Sequence, residues 1–130
     1  MMDIFFQDPN EIPLPPQEVR IRHLQVEPWA DGRKVRITLE VDPFQKRPCV
    51  DVTIRNSQAI PVAQTSIVES MTRKMEFNMH LRQENPAGLY SLQVILYYQK
   101  EVSQPPPGEE LIMPEPLQVD QREVSFEIQA

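Results

Sequence analysis

The sequence has little glycine, almost no cysteine and no long apolar run. Its three glycines, Gly32, Gly88 and Gly108, lie far apart, so there is no glycine-rich loop to wrap backbone amides around a phosphate. A single cysteine, Cys49, excludes a disulfide-stapled mini-protein, which needs thiols in pairs. Nothing approaches the ~18 consecutive apolar residues of a membrane-spanning helix. Positive charge is in deficit: 13 Lys and Arg against 19 Asp and Glu leave a formal net charge of −6. A non-specific nucleic-acid binder carries a basic footprint instead. The start, Met1-Met2-Asp3-Ile4-Phe5-Phe6, has neither the positive charge nor the apolar run of about 7–15 residues of a secretory signal. The expectation is a soluble, cytoplasmic chain with no nucleic-acid and no membrane partner.

What the chain does have is proline, 14 residues in 130, with the stretches 7–17 and 103–116 rich in it. Proline lacks a backbone donor and restricts its predecessor, so neither stretch can be helix or central strand. Between these brackets the apolar period is two. Val35, Ile37, Leu39 and Val41 alternate with charged or polar neighbours, as do Val50, Val52 and Ile54, then Met75, Phe77, Met79 and Leu81. Tyr90, Leu92, Val94, Leu96 and Tyr98 form the longest stripe, and Val124, Phe126 and Ile128 the last. On a helix of 3.6 residues per turn these positions would scatter, whereas on a strand they line one face. The pattern predicts strands near 17–27, 33–42, 49–56, 60–69, 74–82, 88–100 and 117–129. In the first, Val19 and Ile21 hold one phase and Leu24 and Val26 the other. A bulge at Arg22-His23 or a switch between sheets would account for that.

With one apolar face per strand and no amphipathic helix, the partner of a sheet must be another sheet. The run Pro86-Ala87-Gly88-Leu89-Tyr90-Ser91-Leu92 resembles the beginning of strand F in immunoglobulin-like and fibronectin-type-III-like domains. There, Gly or Ala, any residue, Tyr, any residue, and an apolar residue or Cys follow one another. The resemblance implies that Gly88 makes a tight turn and that Tyr90 is a structural corner whose hydroxyl returns to upstream backbone. Leu92 then takes the place of the second cysteine, and Ile37 or Leu39 that of the first. The lack of a cysteine pair, and Trp29 in the first turn instead of on the third strand, bring the chain nearer to the disulfide-free bacterial or macroglobulin-like members. The implied architecture is all-β: a seven-stranded antiparallel immunoglobulin-like β-sandwich over residues 17–130, behind a Pro-rich N-terminal arm, residues 1–16.

Chemistry-bearing residues are sparse. Cys49, His23 and His80 belong to no nucleophile–base or metal-ligand spacing, and no Asp-x-Asp-x-Asp-Gly run exists. Cys49 reads as a small residue at a strand entrance, and the histidines as surface residues. Arg20, Arg22, Arg36, Glu40, Asp42, Asp51, Arg55, Glu76 and Arg82 oppose the apolar phases and read as a solvated face of mixed sign. Trp29 and Tyr97 are the candidate members of a ligand platform. Ile4, Phe5 and Phe6 form a candidate interaction arm, which would dock on its own domain or on a second copy. The expectation is no enzyme, no cofactor and no metal. The chain reads as a protein–protein interaction or structural module with an unknown protein partner, and as a possible homodimer. The alternative is a carbohydrate- or small-ligand-binding sandwich.

Overall fold

A computed structural model of the chain describes residues 12–30, 32–82, 86–99, 108 and 116–129. The arm residues Ile4, Phe5 and Phe6 lie outside them. Seven strands are described: β1 Ile21–Pro28, β2 Lys34–Val41, β3 Cys49–Asn56, β4 Pro61–Ile67, β5 Lys74–His80, β6 Gly88–Tyr98 and β7 Leu117–Ile128. They form two antiparallel sheets, ordered β1-β2-β5 and β4-β3-β6-β7. The stripes read from the sequence meet between them. Val35, Ile37, Leu39 and Val41 from β2 face Val50, Val52 and Ile54 from β3 and Leu92, Val94 and Leu96 from β6, all fully buried. Each such side chain contributes about 1.5–3 kcal/mol relative to exposure. The strands in the middle of each sheet therefore carry the most apolar stripes.

The first strand starts at Ile21 and not at residue 17. Pro15 and Pro16 set up a 3₁₀ turn, Pro16–Glu18, with Pro at its first position, where no amide is needed. Upstream, Leu14 donates to the Pro43 carbonyl at 2.9 Å and accepts from the Gln45 amide at 3.0 Å, which ties the Pro-rich segment to the β2–β3 connection.

The change of phase in β1 is a bulge. Ile21 pairs with Val41 and His23 with Glu40, so Arg22 is the extra residue. It lets Ile21, Leu24 and Val26 all point inward. Asp42 was expected on the solvated face, but it is only 7 % exposed. Beyond the bulge its carboxylate accepts the Arg20 amide and the Arg22 guanidinium, because β2 ends at Val41 and the alternation no longer applies. That partner raises the Arg22 pKa further. The backbone of Ile21 turns towards β7 of the other sheet: its N–H donates to Asp120 Oδ2 at 2.8 Å and its carbonyl accepts from Arg122 at 2.8 Å.

At the opposite pole, Gly88 begins β6 at φ +136°, a conformation open to glycine. The Tyr90 hydroxyl donates to the Pro86 carbonyl at 2.6 Å, and its ring stacks on Phe126 with centroids 5.4 Å apart. Beyond β5, the Leu81 amide still reaches back to Arg33, but the Arg82 amide bonds Val62 of β4. The strand thus ends two residues before the predicted boundary, and the chain crosses to the other sheet at Arg82.

Tyr90→Phe removes one buried hydroxyl bond and should lower stability by about 1 kcal/mol in urea unfolding. Asp120 and Arg122 grip the backbone of the same residue, Ile21, so the costs of Asp120→Ala and Arg122→Ala should be non-additive, with a coupling of about 1 kcal/mol in a double-mutant cycle.

Candidate functional site

The two outer faces of the sandwich carry different chemistry. The face of β1-β2-β5 is charged. Arg36 bridges Glu76 at 3.2 Å and Glu27 at 3.8 Å, and Glu40 takes Arg73 at 3.0 Å. Such exposed pairs are each worth only tenths of a kcal/mol. Trp29 lies at one end of this face. Its Nε1–H donates to Asn78 Oδ1 at 2.9 Å, and Lys34 and Arg36 stand 5.5 and 6.0 Å from the ring centroid. Cation–π contact and the hydrogen bond hold the indole flat against the sheet, although it is 44 % exposed.

His23 and His80 occupy the same face at opposite ends. His23 pairs with Glu40 and His80 with Lys34, six residues apart along β2, which is about 20 Å at ~3.3 Å per residue. Cys49 belongs to the other sheet, beneath the β4–β5 connection, where it is 1 % exposed and its Sγ accepts the Glu69 amide at 3.4 Å. The fold does not bring the three together. Among the described residues, no group of three His, Cys, Asp or Glu side chains could hold a metal ion, and no helix is long and apolar enough to cross a membrane.

The outer face of β4-β3-β6-β7 mixes polar and charged residues, with Gln64 and Ser66 on β4, Asp51, Thr53 and Arg55 on β3, Ser91 and Gln93 on β6, and Gln118, Gln121, Glu123 and Glu127 on β7. Tyr97 sits here, so the two members of the proposed platform are separated. Trp29 and Tyr97 lie on opposite faces of the sandwich and cannot stack on one ligand. Tyr97 has a polar neighbourhood of its own. Its hydroxyl donates to Asp51 Oδ1 at 3.2 Å, and the Ser66 hydroxyl donates to the same oxygen at 2.7 Å. Around them a depression of about 360 Å³ is lined by Asp51, Ile95, Tyr97, Gln99, Pro116 and Gln118. Sequence reasoning found Tyr97 from its outward phase but missed Asp51 and Gln118, because only the strand register makes them neighbours.

A larger groove of about 560 Å³ separates β4 from β5, lined in part by Pro61, Gln64, Thr65, Asn78, His80 and Arg82. Both strands are sheet edges, and the Arg82 amide on the Val62 carbonyl joins them.

Burial, then the Asp51 charge and its hydrogen bond, push the Tyr97 pKa up to about 12, and burial does the same first for Tyr98. Burial also raises Tyr90. Because the folded values exceed the unfolded value of about 10, their stabilisation is whole below pH ~10 and is lost as pH rises towards ~12. An ultraviolet titration of the folded protein should show little phenolate near pH 10, and alkaline unfolding should accompany its appearance.

No protein-family model matches the chain, and no curated protein matches it. Among solved structures, it is similar to a glycosyl hydrolase family 2 member from Bacteroides cellulosilyticus DSM 14838, with a TM-score of 0.52 and 11 % identity over 85 % of this chain. A second structure of a family 2 member from Bacteroides cellulosilyticus gives a TM-score of 0.52 at 13 % identity. The apo β-glucuronidase of Ruminococcus gnavus gives 0.47 at 14 % identity, over 86 % of this chain and 16 % of that one. At such identities the likeness to the Bacteroides protein is one of fold alone, and the chain spans about 15 % of that protein's length.

Proposed function

We propose that the chain is a non-enzymatic module that works by protein–protein interaction, built on an immunoglobulin-like sandwich. In the lettering of that fold, the strand order corresponds to A-B-E against C′-C-F-G, and the Tyr90–Pro86 bond occupies the corner of strand F. The observation that carries the interaction reading is the side of the sandwich where β4 and β5 run as sheet edges along one groove, joined by the Arg82–Val62 backbone bond. An extended segment of a partner, or the same edge of a second copy, can add its backbone hydrogen bonds there. The opposite side is less available, because Asp120 and Arg122 span from β7 to β1.

A second reading, a carbohydrate- or small-ligand-binding module, is supported by the polar depression around Tyr97. It is also supported by likeness in fold to part of a chain described as a glycosyl hydrolase family 2 member.

Sedimentation over a wide concentration range should reveal association with a second copy. A lysine placed on the β4 edge, as in Thr65→Lys, should weaken it by like-charge repulsion. A constant monomer mass removes the homodimer from this reading. Nitrophenyl glycosides and esters should be left intact by the purified chain. Turnover that disappears in His23→Ala, His80→Ala or Cys49→Ala would overturn the non-enzymatic reading.

A further inference from the structure

We infer that the Tyr97 depression on the outer face of β4-β3-β6-β7 is a binding site for a neutral, hydroxyl-rich ring ligand, a sugar. The inference rests on the ligand-binding reading above and names its site and ligand class.

The hydrogen-bonding inventory leads to that class. Asp51 Oδ1 is saturated by the Ser66 and Tyr97 hydroxyls, while Oδ2 accepts nothing from the described residues. Gln118 donates its amide to Gln121 at 3.2 Å, and its carbonyl oxygen has no donor among the described residues. Gln99 also lines the depression and is exposed. Open acceptors thus stand beside an amide that can both donate and accept. Among the described lining residues there is no lysine, arginine or histidine, and Asp51 is their one charge. An anionic ligand is therefore repelled. A simple ammonium would satisfy Asp51 but leave the Gln99 amide group without an acceptor. A sugar hydroxyl gives and takes a hydrogen bond, so it serves both.

The remaining lining is apolar: the Tyr97 ring, Ile95 and Pro116. The bond to Asp51 fixes the phenol, so the ring is already oriented when a ligand arrives, and less ordering is lost on binding. A ring whose C–H groups lie on the aromatic surface and whose hydroxyls point to Asp51 and Gln118 uses every part of this surface. The volume of about 360 Å³ lies in the small-ligand range.

The test is an amide NMR titration of the full chain with a panel of neutral mono- and disaccharides, alongside methylammonium and a uronate. The proposal expects a disaccharide to shift amides centred on Asp51, Tyr97 and Gln118. Tyr97→Ala should weaken that binding about tenfold or more, while Tyr97→Phe, which keeps the ring, should retain it within about threefold. If Tyr97→Ala does not fold, the location of the wild-type shifts decides. Sugar shifts centred elsewhere would overturn this site while leaving the ligand-binding reading intact. No sugar response on any part of the chain would overturn both. A response to methylammonium or to the uronate alone would overturn the ligand class.

Discussion

Buried peptide groups have to be hydrogen-bonded, and the two that flank Ile21 lie where the first strand has stopped following its own sheet. The bulge at Arg22 creates that situation, and two β7 side chains resolve it. Asp120 and Arg122 supply an acceptor and a donor where a neighbouring strand would have supplied backbone. Asp42 serves the bulge from the other side by taking the Arg20 amide and the Arg22 guanidinium together. Two sheets packed mainly through apolar side chains are thereby joined along this side by polar bonds of fixed geometry. Such bonds specify which edges meet more than they add to stability. They also decide which side of the sandwich is left open, namely that of β4 and β5.

The outer faces follow from the same division of labour. Inward positions of β2, β3 and β6 are filled with Val, Ile and Leu, so any recognition is left to the residues between them. On one face those residues are Lys, Arg and Glu paired across strands, which satisfy each other. On the other, Ser, Thr and Gln are interspersed with Arg55, Glu123 and Glu127, and hydrogen-bonding capacity around Tyr97 and Asp51 is left for something else. Trp29 is exposed yet engaged by Asn78, Lys34 and Arg36. Exposure of an aromatic is thus a poorer guide to a ligand surface than the unmet hydrogen bonds around it.

Much of the fold is legible in the chain because a strand with one buried face must alternate. The stripes 35–41, 50–54 and 90–98 each lie within a strand of the structure, and the phase break in 19–26 marks the bulge. The sequence is silent where alternation stops. Asp42 reads as outward by continuing the period of β2, but it lies one residue past that strand and is buried. Cys49 reads as out of phase with Val50 and Val52, which holds, but the β4–β5 connection covers it from the solvent side. The depression at Tyr97 draws on β3, β6 and β7, and no local pattern records which residues of three strands lie abreast.

That cover over Cys49 turns the one sulfhydryl into a built-in clock. The thiol lies under a short connection pinned by the Ser70 amide on the Pro48 carbonyl at 2.8 Å and by the Glu69 amide on the sulfur itself. An alkylating reagent reaches it only when this connection lifts or the whole sandwich opens. The rate of its labelling therefore measures how often this pole of the molecule breathes, with global opening of the sandwich as its slowest limit.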